Sequence, residues 1–292
     1  MGPFVYLEPK STEEVLSILT KYGEKVKVLA GGTDLVPLMR EKSLKPQYVV
    51  NIGNLDSYKS INSDNKAGLC IGALTTIREI ETSSILKTEY KMIPQAAAQL
   101  ASIPIRNIAT IGGNLCNASP AADMAPILMA LSARVKLVST AGERVVSLTD
   151  FFTGPADTVC KPDELMTEVQ IAQLLPNTHG AYLKCSIKGG QELALVGVAV
   201  VITLDSGGKT CNDVKIALGS VAPTPIRAHK AEATIKGKAL NNELIREAAQ
   251  LASSEASPID DIRGSAEYRK EMLKVFTRDA LNQVADLAGL SV

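Results

Sequence analysis

The sequence predicts an α+β fold in two domains, and three observations carry that reading. Strand-like and helix-like runs are mixed from the N-terminus to about residue 176. Beyond Pro176 three strand-like runs follow one another, and the remainder of the chain is helical in pattern. At 292 residues the chain is long enough for two domains and a sizeable core. The boundary is therefore expected near residue 176, dividing the chain into 1–176 and 177–292.

Taken in order, Phe4 to Pro9 reads as a short strand. A helix follows, with Ser11 as N-cap, Glu14 completing a capping box and Gly23 as its stop. Val15, Leu16, Ile18, Leu19 and Tyr22 give it one apolar face. Lys25 to Leu29 is a strand, Gly31-Gly32 a turn, and the apolar residues after Asp34 open a short helix. Residues 48–55 and 67–80 contain strands, and residues 91–102 form the next helix. Ser119 and Pro120 have the chemistry of an N-cap and a first helical residue, so a helix is expected at about 120–131. Residues 134–148 read as a hairpin with Ala141-Gly142 near its tip, and 151–171 as loop ending in a strand. Residues 181–188, 194–205 and 213–221 form an antiparallel meander, followed by Ala- and Glu-rich helices.

Composition excludes several classes. Lysine plus arginine and aspartate plus glutamate number 31 each, so no whole-chain charge favours nucleic acid or an anionic membrane. The N-terminus lacks the basic and apolar regions of a signal peptide, and no apolar run approaches the roughly 20 residues that span a bilayer. A cytoplasmic location is expected. The five cysteines are scattered without a CxxC pair, against zinc, iron–sulfur ligation or a disulfide framework, and reduced, mostly buried thiols are expected. His179 and His229 form no HxxxH or HxH array, so no metal site is assigned.

Two nucleotide signatures fail. Gly208-Lys209-Thr210 imitates the end of a P-loop, but Thr203 stands where the leading glycine belongs, and the segment joins two strands. The GxGxxG pattern is absent. Two diglycines remain, Gly31-Gly32 with Thr33 and Asp34, and Gly112-Gly113 with Thr110 and Asn114. Each is either a plain tight turn or an anion cradle, because glycine lets a ligand approach backbone N–H groups that need no lysine to bind a pyrophosphate. Asp123 either complements the dipole of the following helix or accepts a hydrogen bond from a ligand.

In this order and context the two turns resemble one family. Residues 28–35 and 110–131 look like the FAD-binding subunit of molybdenum hydroxylases of the xanthine dehydrogenase and carbon monoxide dehydrogenase type. The similarity continues through residues 150–171, 192–200 and 261–273, covering essentially the whole chain. The resemblance implies a two-subdomain FAD-binding domain of the vanillyl-alcohol-oxidase type. A C-terminal domain with a three-stranded antiparallel sheet and helices is expected to follow it. It implies noncovalent FAD, with Val28, Leu29, Ala30, Gly31, Gly32, Thr33, Asp34 and Leu35 on one side of the pyrophosphate. Thr110, Ile111, Gly112, Gly113 and Asn114 lie on the other side, and Asp123 makes a polar contact to the cofactor. Leu100, Met166 and Lys184 fall where the family lines the isoalloxazine or adenosine; ordinary core residues and an exposed lysine are the competing readings.

Glu192 stands where the family often has Asp, and the preceding Gly189-Gly190-Gln191 lacks the basic residues often found there. The resemblance further implies an iron–sulfur subunit with two [2Fe–2S] clusters and a molybdopterin subunit as partners, with NAD or another acceptor taking the electrons. No catalytic residue is assigned to this chain. Gly31-Gly32-Thr33, in place of a histidine- or glutamine-containing version common among carbon monoxide enzymes, tilts the expectation toward xanthine or another N-heterocycle. The rivals are a carbon monoxide dehydrogenase medium subunit, a stand-alone flavoprotein of the same fold, and a scaffold subunit without flavin.

Overall fold

The computed structural model describes residues 2–64, 67–187 and 192–292. The chain opens with a parallel three-stranded sheet of β1 (Val5–Leu7), β2 (Val26–Leu29) and β3 (Tyr48–Asn51), ordered β1-β3-β2. Helix α1 (Thr12–Tyr22) makes the first crossover, and α2 (Leu35–Arg40) leaves β2. Ser11 caps α1 by accepting from the Glu14 N–H, and Gly23 ends it at a φ of +52°. The expected capping box does not close: the Glu14 carboxylate reaches past the cap to the Lys10 N–H, at 2.7 Å. Val15, Leu16 and Leu19 bury against Val26 and Val50, while Ile18 and Tyr22 pack at the margin of that cluster.

A second sheet of five antiparallel strands runs β4 (Ile61–Asp64), β5 (Gly68–Gly72), β10 (Leu165–Ile171), β6 (Arg134–Ser139) and β7 (Gly142–Ser147). Six short helices intervene between β5 and β6: α3 (Ile77–Thr82), α4 (Ser84–Glu89), α5 (Met92–Ala98), α6 (Ile103–Arg106), α7 (Ile111–Cys116) and α8 (Met124–Ala130). A two-stranded hairpin of β8 (Phe152–Gly154) and β9 (Asp157–Thr158) precedes β10. Helix α8 is buried on every residue, which explains its uninterrupted apolar sequence.

The helix expected at 120–131 starts later than the Ser-Pro signal suggests. Ser119 Oγ accepts from the Ala121 N–H, forming a local turn, and α8 begins at Met124. The Pro120 carbonyl is held instead by the Ser220 N–H at 2.8 Å. A tertiary contact thus overrides a local capping signal.

The last sheet comprises β11 (Thr178–Cys185), β12 (Val196–Leu204), β13 (Cys211–Gly219) and β14 (Ile226–Arg227), antiparallel throughout. The fourth strand, only two residues long, extends the expected three-stranded meander. Asp205 to Thr210, the P-loop mimic, is the β12–β13 turn, where Asp205 Oδ1 accepts from the Lys209 and Thr210 N–H groups. Helices α9 (His229–Ile235), α10 (Asn242–Glu255) and α11 (Ala266–Leu287) complete the chain.

Alternation along this sheet sorts its side chains onto two faces. Ala181, Val198, Val200, Ile202, Ile216 and Leu218 pack toward α9–α11. Tyr182, Ala199, Val201 and Ala217 join the core built by α5, α8 and the five-stranded sheet. A sheet covered on both faces needs no polar stripe, hence the near-continuous apolar run of β12.

Candidate functional site

The first diglycine sits where the chain leaves β2. A β-carbon on Gly31 would overlap the Ile108 carbonyl, so only glycine lets the 108–109 backbone pass this closely. Gly32 follows with a φ of +75°, and α2 starts at Leu35. Among the described residues, the backbone N–H groups of Gly31, Gly32, Thr33, Asp34 and Leu35 donate to no protein group. The carbonyls of Gly32 and Asp34 are engaged by the Val36 and Leu38 N–H groups. Five consecutive open donors at a helix start form a positive surface suited to an anion.

The second diglycine is not a loop turn but the first turn of α7. Thr110 caps it, its Oγ1 accepting from the Gly113 N–H at 3.1 Å. The Ile111 and Gly112 N–H groups donate to the Thr75 and Ala73 carbonyls at 3.0 and 2.9 Å, and the Asn114 N–H donates to the Thr110 carbonyl at 2.9 Å. All four N–H groups are therefore engaged inside the protein, and the open backbone donors of the two turns are those of the first diglycine. What the second offers the cleft is different. The Asn114 Oδ1 is buried and has no hydrogen-bond partner. Gly113 is exposed, and a β-carbon there would meet only Thr110 Oγ1, at 3.0 Å.

These segments line one cleft of about 690 Å³, within the roughly 300–1,000 Å³ of small-molecule sites. Of the residues singled out from sequence, Val28, Ala30 to Leu35, Leu100, Thr110, Gly112 to Asn114, Asp123 and Met166 border it. Leu29, Ile111 and Lys184 do not. Leu29 lies behind the first turn, where a β-carbon on Gly32 would touch it. Ile111 is fully buried in the core.

Lys184 is neither a lining residue nor an exposed lysine. Its side chain is 2% exposed, and its ammonium donates to the Asp123 carboxylate and the Gln99 carbonyl, both at 2.9 Å. The other Asp123 oxygen accepts from the Tyr182 hydroxyl at 2.9 Å. Burial pushes the Asp123 carboxyl above its ordinary value, opposed by the Lys184 charge and by both hydrogen bonds. Burial and the neighbouring carboxylate push the Tyr182 phenol well above its ordinary value, so it stays a donor. Asp123 stands at the N-cap position of α8 but makes no side-chain capping hydrogen bond; its two oxygens are engaged by Tyr182 and Lys184 instead. Tyr182 escaped the sequence reading; its only signal there was its position two residues before Lys184 on the same strand face.

Glu164, like Lys27, is a charged lining residue that the sequence did not flag. Its carboxylate takes both the Nε and Nη2 of Arg144, at 2.7 and 2.8 Å, and this holds it below the usual glutamate range. Glu192 and Leu193 also border the cleft. Gly189-Gly190-Gln191 lies outside the described residues. The thiols are less buried than expected: Cys185 and Cys211 are buried, Cys70 and Cys160 half-buried, and Cys116 is exposed at the cleft. Among the described residues no helix is long and apolar enough to cross a membrane.

Comparison with known proteins matches residues 2–173 to the FAD binding domain in molybdopterin dehydrogenase. Residues 181–284 match the CO dehydrogenase flavoprotein C-terminal domain. The chain is 35% identical to the glyceraldehyde dehydrogenase medium chain of Sulfolobus acidocaldarius, over 97% of this chain and 98% of that one. It is also 35% identical to the carbon monoxide dehydrogenase medium chain of Afipia carboxidovorans, over 97% and 96%. Its structure superposes on a chain of carbon monoxide dehydrogenase from Hydrogenophaga pseudoflava with a TM-score of 0.93, at 32% identity, covering 97% of each chain.

Proposed function

This chain belongs to the FAD-binding medium subunits of the molybdenum hydroxylases, the carbon monoxide and xanthine dehydrogenase type. On that premise we propose that its cleft holds FAD noncovalently and relays electrons from a cluster-bearing partner to an acceptor such as NAD. The observation that carries this is the run of open N–H groups from Gly31 to Leu35, in one cleft with the partnerless Asn114 Oδ1. A diphosphate matches the first, and an N–H or hydroxyl of the cofactor matches the second.

When bound, FAD supplies the ability to accept electrons singly and release them in pairs. The chain's own residues bind and orient. The 31–35 N–H groups would hold the diphosphate, and Gly113 would present no side chain to obstruct it. Asp123, its carboxylate fixed in rotation by Tyr182 and Lys184, would accept a hydrogen bond from the cofactor. The Lys184 charge balances that of Asp123, so the cleft floor does not repel an electron-rich ligand. Leu35, Leu38, Leu100, Ile105 and Met166 line the cleft with apolar surface that excludes water.

The residues 1–176 would then form the flavin-binding domain and 177–292 the second domain, in a complex with iron–sulfur and molybdopterin subunits. The N-heterocycle reading of the substrate rests on Gly31-Gly32-Thr33 alone. Medium chains named for glyceraldehyde and for carbon monoxide are equally similar to this one, so a chain of this type does not report the substrate.

The test is direct. Purified chain is expected to be yellow and to release FAD on acid treatment, and co-expression with its partner chains is expected to yield one complex containing iron and molybdenum. A colourless chain that takes up no added FAD would overturn the flavin assignment. Substrate turnover by the isolated chain would favour the stand-alone flavoprotein.

A further inference from the structure

Arg269 is an arginine in the second turn of α11, away from the cleft lining and 4% exposed. Its Nη1 donates to the Leu195 carbonyl at 2.8 Å and to the Ser220 carbonyl at 3.3 Å. Its Nη2 pairs with Asp261 Oδ1 at 2.9 Å. That carboxylate is itself fixed by the Arg263 and Gly264 N–H groups at 2.8 and 3.2 Å. Each of the two carbonyls belongs to a segment that leads to the cleft. Leu195 follows Glu192 and Leu193, which line it. The Ser220 N–H donates to the Pro120 carbonyl at 2.8 Å, and Ser119, Ala121, Ala122 and Asp123 line it.

We propose that Arg269 is a positioning residue for FAD: one guanidinium ties the 192–195 wall of the cleft to the 119–123 wall and so slows the cofactor's escape. This rests on the flavin reading given above. The planar fork suits the task, because three acceptors in different directions can be met at once only by a group with several rigid donors. Asp261 keeps the fork oriented, and Arg269 has no cofactor contact of its own. Leu195 is held further through its N–H to the Cys185 carbonyl, at 2.8 Å, and the 119–123 wall through the Asp123–Lys184 pair, but neither contact joins one wall to the other.

The experiment measures the rate at which FAD leaves the chain, by the activity regained by the apoprotein of a second FAD enzyme added in excess as a trap. Arg269→Met is expected to leave a folded, yellow chain whose FAD dissociation is faster by about tenfold or more, reflecting lost preorganisation. Arg227→Met is the control, because it breaks the Arg227–Glu232 ion pair in the same half of the chain but no segment lining the cleft. It is expected to lower the thermal midpoint comparably while changing FAD dissociation by less than about twofold. Arg269→Lys keeps the charge but not the fork, and is expected to recover the midpoint more fully than the retention.

Unchanged dissociation in Arg269→Met, or equal acceleration in Arg227→Met, overturns the proposal. If Arg269→Met does not fold, Arg269→Lys and Asp261→Asn carry the same test, with faster dissociation expected in both and unchanged dissociation overturning it. Wild-type chain that binds no FAD sinks the flavin reading, whereas wild-type retention matched by every variant sinks only the clamp.

Discussion

Gly113 and Gly31 are both glycines of the cleft, yet they constrain different things. A β-carbon on Gly31 strikes the Ile108 carbonyl, so Gly31→Ala is expected to reduce the yield of folded protein. A β-carbon on Gly113 approaches only the Thr110 hydroxyl, so Gly113→Val is expected to fold and lose FAD. Bound flavin per chain, read from the visible spectrum, should fall at least about tenfold, equivalent to ~1.4 kcal/mol. A Gly113→Val chain retaining a full complement of flavin would remove this residue from the site. The Asp123–Lys184 pair gives a second residue-scale expectation. Lys184→Met leaves a carboxylate buried with one neutral donor and should cost about 3–5 kcal/mol in denaturant unfolding. Adding Asp123→Asn should recover part of that loss. The folded-state pKa of Asp123 is already raised, so protonation favours the folded state. The Lys184→Met deficit should therefore shrink as pH falls.

At the scale of elements, the sequence made the strands and the α1 cap legible because those signals are local. An unbroken apolar run marks β12, and Ser11 and Gly23 bracket α1. Helix α7 was illegible because two adjacent glycines cost about 1 kcal/mol each in a helix. Ala73 leaves no room for a β-carbon at Gly112, and the Thr75 and Ala73 carbonyls take the N–H groups that a turn would have exposed. The displaced start of α8 and the buried Asp123–Tyr182–Lys184 cluster have the same origin, since each depends on a partner distant in sequence. The loop before β10 carries its own expectation. Glu164 joins it to β7 through Arg144, with its carboxyl held below the usual range. A lowered folded-state pKa gives stability that is present above the unfolded value and lost as pH falls through the folded one. The thermal midpoint should thus fall on acidification below about pH 4.3. Glu164→Gln should make that fall shallower while costing about 1–3 kcal/mol at neutral pH.

Across the whole molecule, two stretches that are separate in sequence share one core. Tyr182, Ala199, Val201 and Ala217 come after residue 176 yet pack with Met92, Ala96, Met124 and Leu128 from before it. The intact chain is therefore expected to unfold in one calorimetric transition, with van't Hoff and calorimetric enthalpies in agreement. Residues 1–176 expressed alone are expected to aggregate, because the faces of α5 and α8 lose their cover. Two well-separated transitions would show that the halves are energetically independent. The sequence marks a change of texture near Pro176, but pattern says nothing about how much surface is shared across it.

The two-faced sheet of β11–β14 bears on how such chains can be recombined. A chimaera taking its last stretch from a relative imports half of the donor's interior along with it. The graft must bring residues of matching volume at 182, 199, 201 and 217, and the Tyr182 and Lys184 donors for Asp123. Crossovers placed inside the six-helix stretch or at Pro176 break that set, so the natural unit of exchange is the entire chain.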